Sequence, residues 1–248
     1  MATVYIGGAS IDENGKAHGG KAGNQTGKEL KKQKWYLHSK GWRVFRAKDA
    51  AVAAKVAACM AAAVANRHIG YDQYQRNTLY REAEKYGFDV GKVTADVECD
   101  CSALVRVCCA YAGVTGLPEG FRTTNEPKNL LATGAFTEMT GERYAKQSDC
   151  LKAGDILCTP VQGHTVIVLN DGPRAASDAR EAWVEITGGS VNVRNAPGTV
   201  GTRILGVAHR GDRLADLGET RDVDGRPWYR VAFRDGEAWV SSRYARRV

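Results

Sequence analysis

Two short stretches carry residue types able to do nucleophilic chemistry. One is Asp100-Cys101-Ser102, within Asp-Val-Glu-Cys-Asp-Cys-Ser-Ala-Leu-Val at residues 96–105. The other is Gly163-His164-Thr165, farther along the chain. A thiolate attacks a carbonyl carbon and an imidazole moves the protons, so a cysteine and a histidine brought together by the fold can form a hydrolase pair. Taken alone, a cysteine on an apolar helix is ordinary core. The Asp-Cys-Ser context, a helix start at Cys101 and a strand opening at His164 together favour a nucleophile.

Positioning these groups falls to a helix and two strands. After Cys101, residues Ala103, Leu104, Val107, Cys108 and Tyr111 keep an apolar face at helical spacing, and Gly113 stands where a helix-ending glycine belongs. Asp100 is a good N-cap. Cys101 then lies in the first turn, where free N–H groups and the positive dipole end favour a thiolate, and the N–H of Cys101 or Ser102 is placed to hold an oxyanion. Gly154-Asp155-Ile156-Leu157 reads as one strand, Gln162-Gly163 as a turn, and His164 to Leu169 as the next strand. Asp72, Gln73 and Arg76 are candidates for a cleft wall or for a plain turn.

Other constellations fail on spacing. Gly23 to Lys28 suggests a phosphate loop, but Ala22 stands where its first glycine is needed and Glu29 where Ser or Thr is needed. Cys99 and Cys101 form one ligand-like pair and Cys108-Cys109 another, yet the second lies seven residues down one helix, some 10 Å away. Neither a metal nor a cofactor is expected. Cys59, Cys108 and Cys109 read as small core residues, and His18, His38, His68 and His209 lack ligand spacing.

Elsewhere the first half is Gly-rich to residue 28. It is then expected to form strands at Trp35–Leu37 and Trp42–Phe45, an Ala-rich helix from the Asp49 cap to about Asn66, and a helix from Gln75 to Tyr86. Residues 114–148 read as loops with one short helix near 128–132. The polar segment 174–183 is the expected linker between a domain at 1–173 and another at 184–248. From Ala182 onward, five or six short strands separated by turns make a small β-barrel.

At 248 residues, with 43% apolar and 25% charged content, the chain can bury two cores. No apolar run is long enough for a transmembrane helix and no basic-then-apolar leader follows Met1, so synthesis in the cytoplasm is expected, with no membrane insertion. The net charge of +7 suits a polyanionic partner or simply solubility. Arginines in the second half form no compact run, so nucleic-acid binding is not expected. Seven cysteines without a secretion signal argue against a disulfide framework.

Asp100-Cys101-Ser102-Ala103-Leu104-Val105, Ala153-Gly154-Asp155-Ile156-Leu157 and Gly163-His164-Thr165-Val166-Ile167-Val168 resemble, in order and surroundings, the NlpC/P60 and CHAP cysteine peptidases of peptidoglycan. Gly19 to Gly27 and Ile69 to Gln73 with Arg76 resemble a subgroup in phage and prophage lysins. Ser190 to Gly198, Gly211-Asp212, Trp228 to Val231 and Gly236 to Val240 resemble a bacterial SH3 (SH3b) wall-binding domain. The resemblance implies an α+β protein: a papain-like core, its Cys helix packed on an antiparallel sheet, followed by a small SH3-like barrel. It implies Cys101 as nucleophile and His164 as base. Tyr71, with Asp72, Gln73, Arg76, Asp100 and Ser102, would face substrate, and Trp228, Tyr229 and Trp239, with Tyr244 beside them, would face the wall. In that family a polar residue on a following strand orients the histidine. Here the nearest candidate is Asn170, on the His164 strand face but roughly 20 Å along if extended; Asp171, Glu185 or an N-terminal residue are alternatives. The implied activity is an endolysin that cuts an amide bond of a Gram-positive wall after release from the host. An inert wall-binding protein and a cysteine transferase or deamidase are the alternatives.

Overall fold

The computed structural model describes residues 3–175, 183–234 and 236–248. The chain forms two compact units, Met1–Ala175 and Ala176–Val248. Much of the expected linker lies outside the described residues. Arg174 and Ala175, at its start, belong to the first unit: the Arg174 N–H donates to Asp149 O and Ala175 is buried.

The first unit is built on a six-stranded antiparallel sheet. In chain order its strands are β1 (Tyr5–Ala9), β2 (Leu30–Lys34), β3 (Arg43–Ala47), β6 (Phe136–Met139), β7 (Ile156–Cys158) and β8 (Thr165–Val168), in the spatial order β2-β1-β8-β7-β3-β6. A separate parallel pair, β4 (Ile69–Tyr71) and β5 (Val97–Cys99), lies off this sheet. The helices are α1 (Ala50–Ala65), α2 (Thr78–Glu84), α3 (Cys101–Tyr111), α4 (Glu126–Ala132) and α5 (Glu142–Ala145).

Strand alternation divides the core in two. Ala9, Phe45, Ala47, Cys158 and Ile167 face α1 and α3, while Ile6, Val44, Leu157, Val166 and Val168 pack with Trp42, Tyr144 and Leu151 on the other face. Helix α3 is buried nearly all round (Ala103, Leu104, Val105, Val107, Cys108 and Cys109), which is why it reads as apolar on more than one stripe. Helix α1 comes so close to the sheet that a Cβ on Gly7 would sit 2.6 Å from Met60 Cγ, and one on Gly154 would sit 2.2 Å from Ala53 O. Gly154 also needs glycine for its φ of 89°.

Several expectations move. In place of the strand expected at 35–37 the chain forms β2 at 30–34, an edge strand whose sequence, Leu-Lys-Lys-Gln-Lys, buries only Leu30, and β1 at 5–9 precedes it within the Gly-rich stretch. Ile69–Tyr71, between the two expected helices, is β4. Helix α2 is shorter than expected, and the 114–148 region holds β6 and α5 besides α4. The Asp49 cap on α1 and the Asp100 cap on α3 are present, each carboxylate accepting a backbone N–H of the first turn.

Beneath the N-terminal loop lies a group of carboxylates: Asp12, Glu29, Asp72 and Glu98, all buried. Glu29 and Asp72 accept backbone N–H bonds, but both Glu98 oxygens and Asp12 Oδ2 lack hydrogen-bond partners among the described residues. Burial, then repulsion from Glu29, Asp72, Glu13 and Asp12, raises the Glu98 pKa to about 8. A carboxyl raised above its unfolded value stabilises fully below that value, and the contribution is lost as pH rises toward the folded pKa. Glu98→Gln should therefore raise the melting temperature by roughly 5 °C at pH 8 and leave it unchanged at pH 4, read by calorimetry. An equal effect at both pH values would count against the assignment.

The second unit is one seven-stranded antiparallel sheet. Its strands are β9 (Trp183–Ile186), β10 (Ser190–Arg194), β11 (Ile204–His209), β12 (Arg213–Val223), β13 (Arg226–Phe233), β14 (Gly236–Ser241) and β15 (Ala245–Arg247). They are ordered β11-β10-β14-β13-β12-β9-β15 around Val184, Ile186, Val193, Val231 and Val240. The last strand has no apolar alternation of its own and forms by pairing with β9. Among the described residues no helix is long and apolar enough to cross a membrane.

Candidate functional site

Cys101 is the first residue of α3, 8% exposed. Asp100 caps the helix through Ala103 N–H at 2.7 Å. The Cys101 sulfur is faced by the backbone N–H groups of Thr165 and Ser102, so the helix start and the start of β8 meet at the thiol. The expected depression of the thiol pKa is corrected by this environment. Burial, then the Asp100 and Glu126 carboxylates, outweigh the two N–H groups and push it up to about 12.

His164 lies one residue before β8. Thr165 sends its hydroxyl to Glu126 on the helix side, at 2.7 Å. Alternation sends the His164 ring the other way, where its centroid is 6.4 Å from that of Trp42. Its backbone is fixed by Thr159, which accepts the His164 N–H on Oγ1 and donates its own N–H to His164 O. The imidazole nitrogens make no hydrogen bond among the described residues, to Cys101 or to anything else. Burial, then His38 and Lys31, lower its pKa to about 4, so the ring is neutral at pH 7 and its surroundings oppose protonation.

Asn170 does not reach that ring. Its Oδ1 accepts the Tyr5 N–H at 2.9 Å and its Nδ2 donates to Thr3 O, tying the far end of β8 to β1. Side chains near the imidazole are instead Trp42, His38 and Lys31.

The remaining predicted residues divide. Tyr71 is buried beside the thiol; burial and then Cys101 raise its pKa, and its hydroxyl accepts from Gln73 Nε2 at 3.1 Å. Gln73 is exposed there. Asp72 is consumed by its own loop, accepting the N–H groups of Gly19, Tyr74 and Gln75. Arg76 is a clamp rather than a cleft wall. It is 4% exposed and grips both Asp100 oxygens, at 2.6 and 2.9 Å, along with Ser102 Oγ and Phe121 O. Ser102 completes the clamp by donating to Asp100.

Glu126 was not foreseen. It is fully buried at the start of α4, with Oε1 bonded to Thr165 and Oε2 without a partner among the described residues, and burial raises its pKa to about 8. In the sequence it is an ordinary first-turn acid before Pro127, with nothing to show that the helix start is turned inward.

In the second unit, Trp228 and Trp239 are 5% and 6% exposed and share the sheet face opposite the core residues Val231 and Val240. Tyr229 lies under the Arg247 guanidinium, and Tyr244 is the exposed ring of the group. A depression of about 260 Å³ is lined by Asn195, Pro197, Arg221, Arg230, Glu237 and Trp239. Arg230 there joins Glu219 and Glu237.

Residues 6–175 match the endolysin-like domain. The chain belongs to that family. Residues 189–245 match the bacterial SH3 domain. Comparison with curated proteins and with solved structures returns no significant match. The thiol, the imidazole and the Arg76 clamp all fall within the endolysin-like domain, and the depression around Trp239 falls within the SH3 domain. An endolysin-like domain followed by a wall-binding SH3 domain is the architecture of an endolysin directed at peptidoglycan.

Proposed function

We propose that this protein cleaves an amide bond of the bacterial wall peptide by the Cys-His chemistry of NlpC/P60 and CHAP enzymes, on a papain-like core, with the SH3 domain holding it to a Gram-positive wall. What supports the reading is the contact of the Cys101 sulfur with the backbone N–H of Thr165, the residue that follows His164 in the chain, inside an endolysin-like domain. At rest the pair is a neutral thiol and a neutral imidazole. Catalysis needs the His164 ring, set here against Trp42, to come within bonding reach of the sulfur, which then ionises as the imidazolium forms. The thiolate attacks the amide carbonyl, with the Ser102 and Thr165 N–H groups available to the oxyanion. The imidazolium protonates the leaving amine and water clears the acyl-enzyme. Action on the wall follows release of the protein from the host cytoplasm.

The outward set of His164 favours one competing reading, a wall-binding protein whose hydrolase fold is inert. Turbidity loss of purified Gram-positive walls separates them. The hydrolase should clear walls, and His164→Ala should slow clearing by about 10²- to 10⁴-fold, the range for a general acid-base residue. Binding without clearing by the unaltered protein would establish the inert reading.

A further inference from the structure

The N-terminal loop closes over negative charge that no cation of the protein balances. Asp12 and Glu13 on the loop, Glu29 at the entry to β2 and Asp72 after β4 all act on Glu98 of β5. None of these five carboxylates has a Lys, Arg or His ion partner among the described residues; His18 attracts Asp72 without pairing with it. Backbone N–H groups engage Glu29 and Asp72. The other three keep open oxygens: Asp12 Oδ2, Glu13 Oε2 and both oxygens of Glu98 are buried without hydrogen-bond partners among the described residues. Glu98 is 4% exposed and Asp12 3%. A carboxylate buried with neither a hydrogen bond nor a counter-charge is costly, which singles out Glu98. Glycines bring these oxygens in. A Cβ on Gly70 would lie 2.8 Å from Glu98 Oε2 and 2.4 Å from Gly23 O, so its absence lets the strand carboxylate and the loop carbonyl face one point. A Cβ on Gly20 would lie 2.6 Å from Glu13 Oε2 and 3.3 Å from Asp12 Oδ2.

Oxygens alone, most of them anionic, are the donor set of a hard cation. No thiol joins them: Cys99, beside Glu98 in the chain, turns its sulfur to Gly70 O. Calcium accepts an irregular set of carboxylates and carbonyls, whereas magnesium demands a strict octahedron and gives up its waters reluctantly. We propose that this group is a calcium site joining the 12–23 loop to β5, three residues ahead of Cys101 in the chain. Asp12, Glu13 and Glu98 supply carboxylates and Gly23 a carbonyl. Among the described residues, no three acidic, histidine or cysteine side chains converge as a metal centre before the ion enters. Like charges with nothing between them stand apart, and the ion draws the loop carboxylates toward Glu98. The loop has room for this, since a Cβ on Gly15 or Gly19 would meet nothing within 4 Å. Ligands spread from residue 12 to residue 98 leave no spacing pattern in the sequence, which is why no metal is expected from it. The site does not depend on the Cys101-His164 chemistry and holds equally for an inert wall-binding protein.

The test strips the full chain with a chelator, titrates it calorimetrically with calcium chloride and with magnesium chloride, and follows melting at pH 8. One calcium should bind per chain, with magnesium weaker by at least about tenfold. Millimolar calcium should raise the melting temperature by roughly 10 °C. Glu98→Gln melts above the unaltered protein in chelator, because repulsion is relieved, and should melt below it in calcium. Asp12→Asn should weaken calcium binding by at least about tenfold. That reversal of order is what a cation site produces and a merely repulsive cluster does not. Neither heat nor a melting shift with calcium would overturn the site. So would an equal shift in sodium chloride of the same ionic strength, or an undiminished calcium shift in both variants.

Discussion

Cys101→Ala should abolish wall clearing, a loss of at least about 10⁴ in rate, while melting within about 3 °C of the unaltered protein. The fold should survive because, among the described residues, the sulfur's hydrogen-bond partners are the backbone N–H groups of Thr165 and Ser102, and Asp100 still caps Ala103. Removing one buried atom from a first-turn residue costs about 1 kcal/mol. No neighbour can take over the chemistry. The Ser102 hydroxyl is held between Asp100 and Arg76, the Cys99 thiol lies against Gly70 O, and Cys108 and Cys109 are wholly buried. Turbidity and calorimetry on the same preparation decide it. Retention of a few per cent of the rate in a folded Cys101→Ala protein would remove the thiol from the mechanism.

What the sequence could and could not show divides along local and distant interactions. Helix α3 was legible because its signals are local: an Asp100 cap, apolar residues at helical spacing, and Gly113 with φ 85° just past the end. The sign of the thiol's pKa shift was not. The helix start favours the thiolate, but Glu126 arrives from a segment 25 residues away and α3 is buried nearly all round, so desolvation prevails. The face taken by His164 depends on where β8 begins. The sequence suggests a strand opening at 164, whereas pairing begins at Thr165 and leaves the histidine beside Trp42. Strand β2 was displaced by propensity: aromatic 35–37 looks more strand-like than Leu-Lys-Lys-Gln-Lys. An edge strand needs only one buried residue, and lysines there resist pairing with other chains.

Arg76→Met should destabilise the first unit by about 3–5 kcal/mol, lowering its melting temperature by roughly 10 °C or more. The guanidinium is the only cation against Asp100 among the described residues, and it also satisfies Ser102 Oγ and Phe121 O. Methionine fills a similar space, so the cost isolates the charge: the Asp100 carboxylate stays buried at the cap without its partner. Lysine should not rescue, because one ammonium cannot span two carboxylate oxygens, the Ser102 hydroxyl and a carbonyl at once. Asp100→Asn should cost less, since the amide oxygen still caps Ala103. The double variant Arg76→Met with Asp100→Asn should be more stable than Arg76→Met alone, because the stranded charge is gone. Denaturant melts of the four proteins give the coupling. If Arg76→Met costs under about 1 kcal/mol, the clamp is not what holds the α3 start in place, and some other contact must position Cys101 against β8.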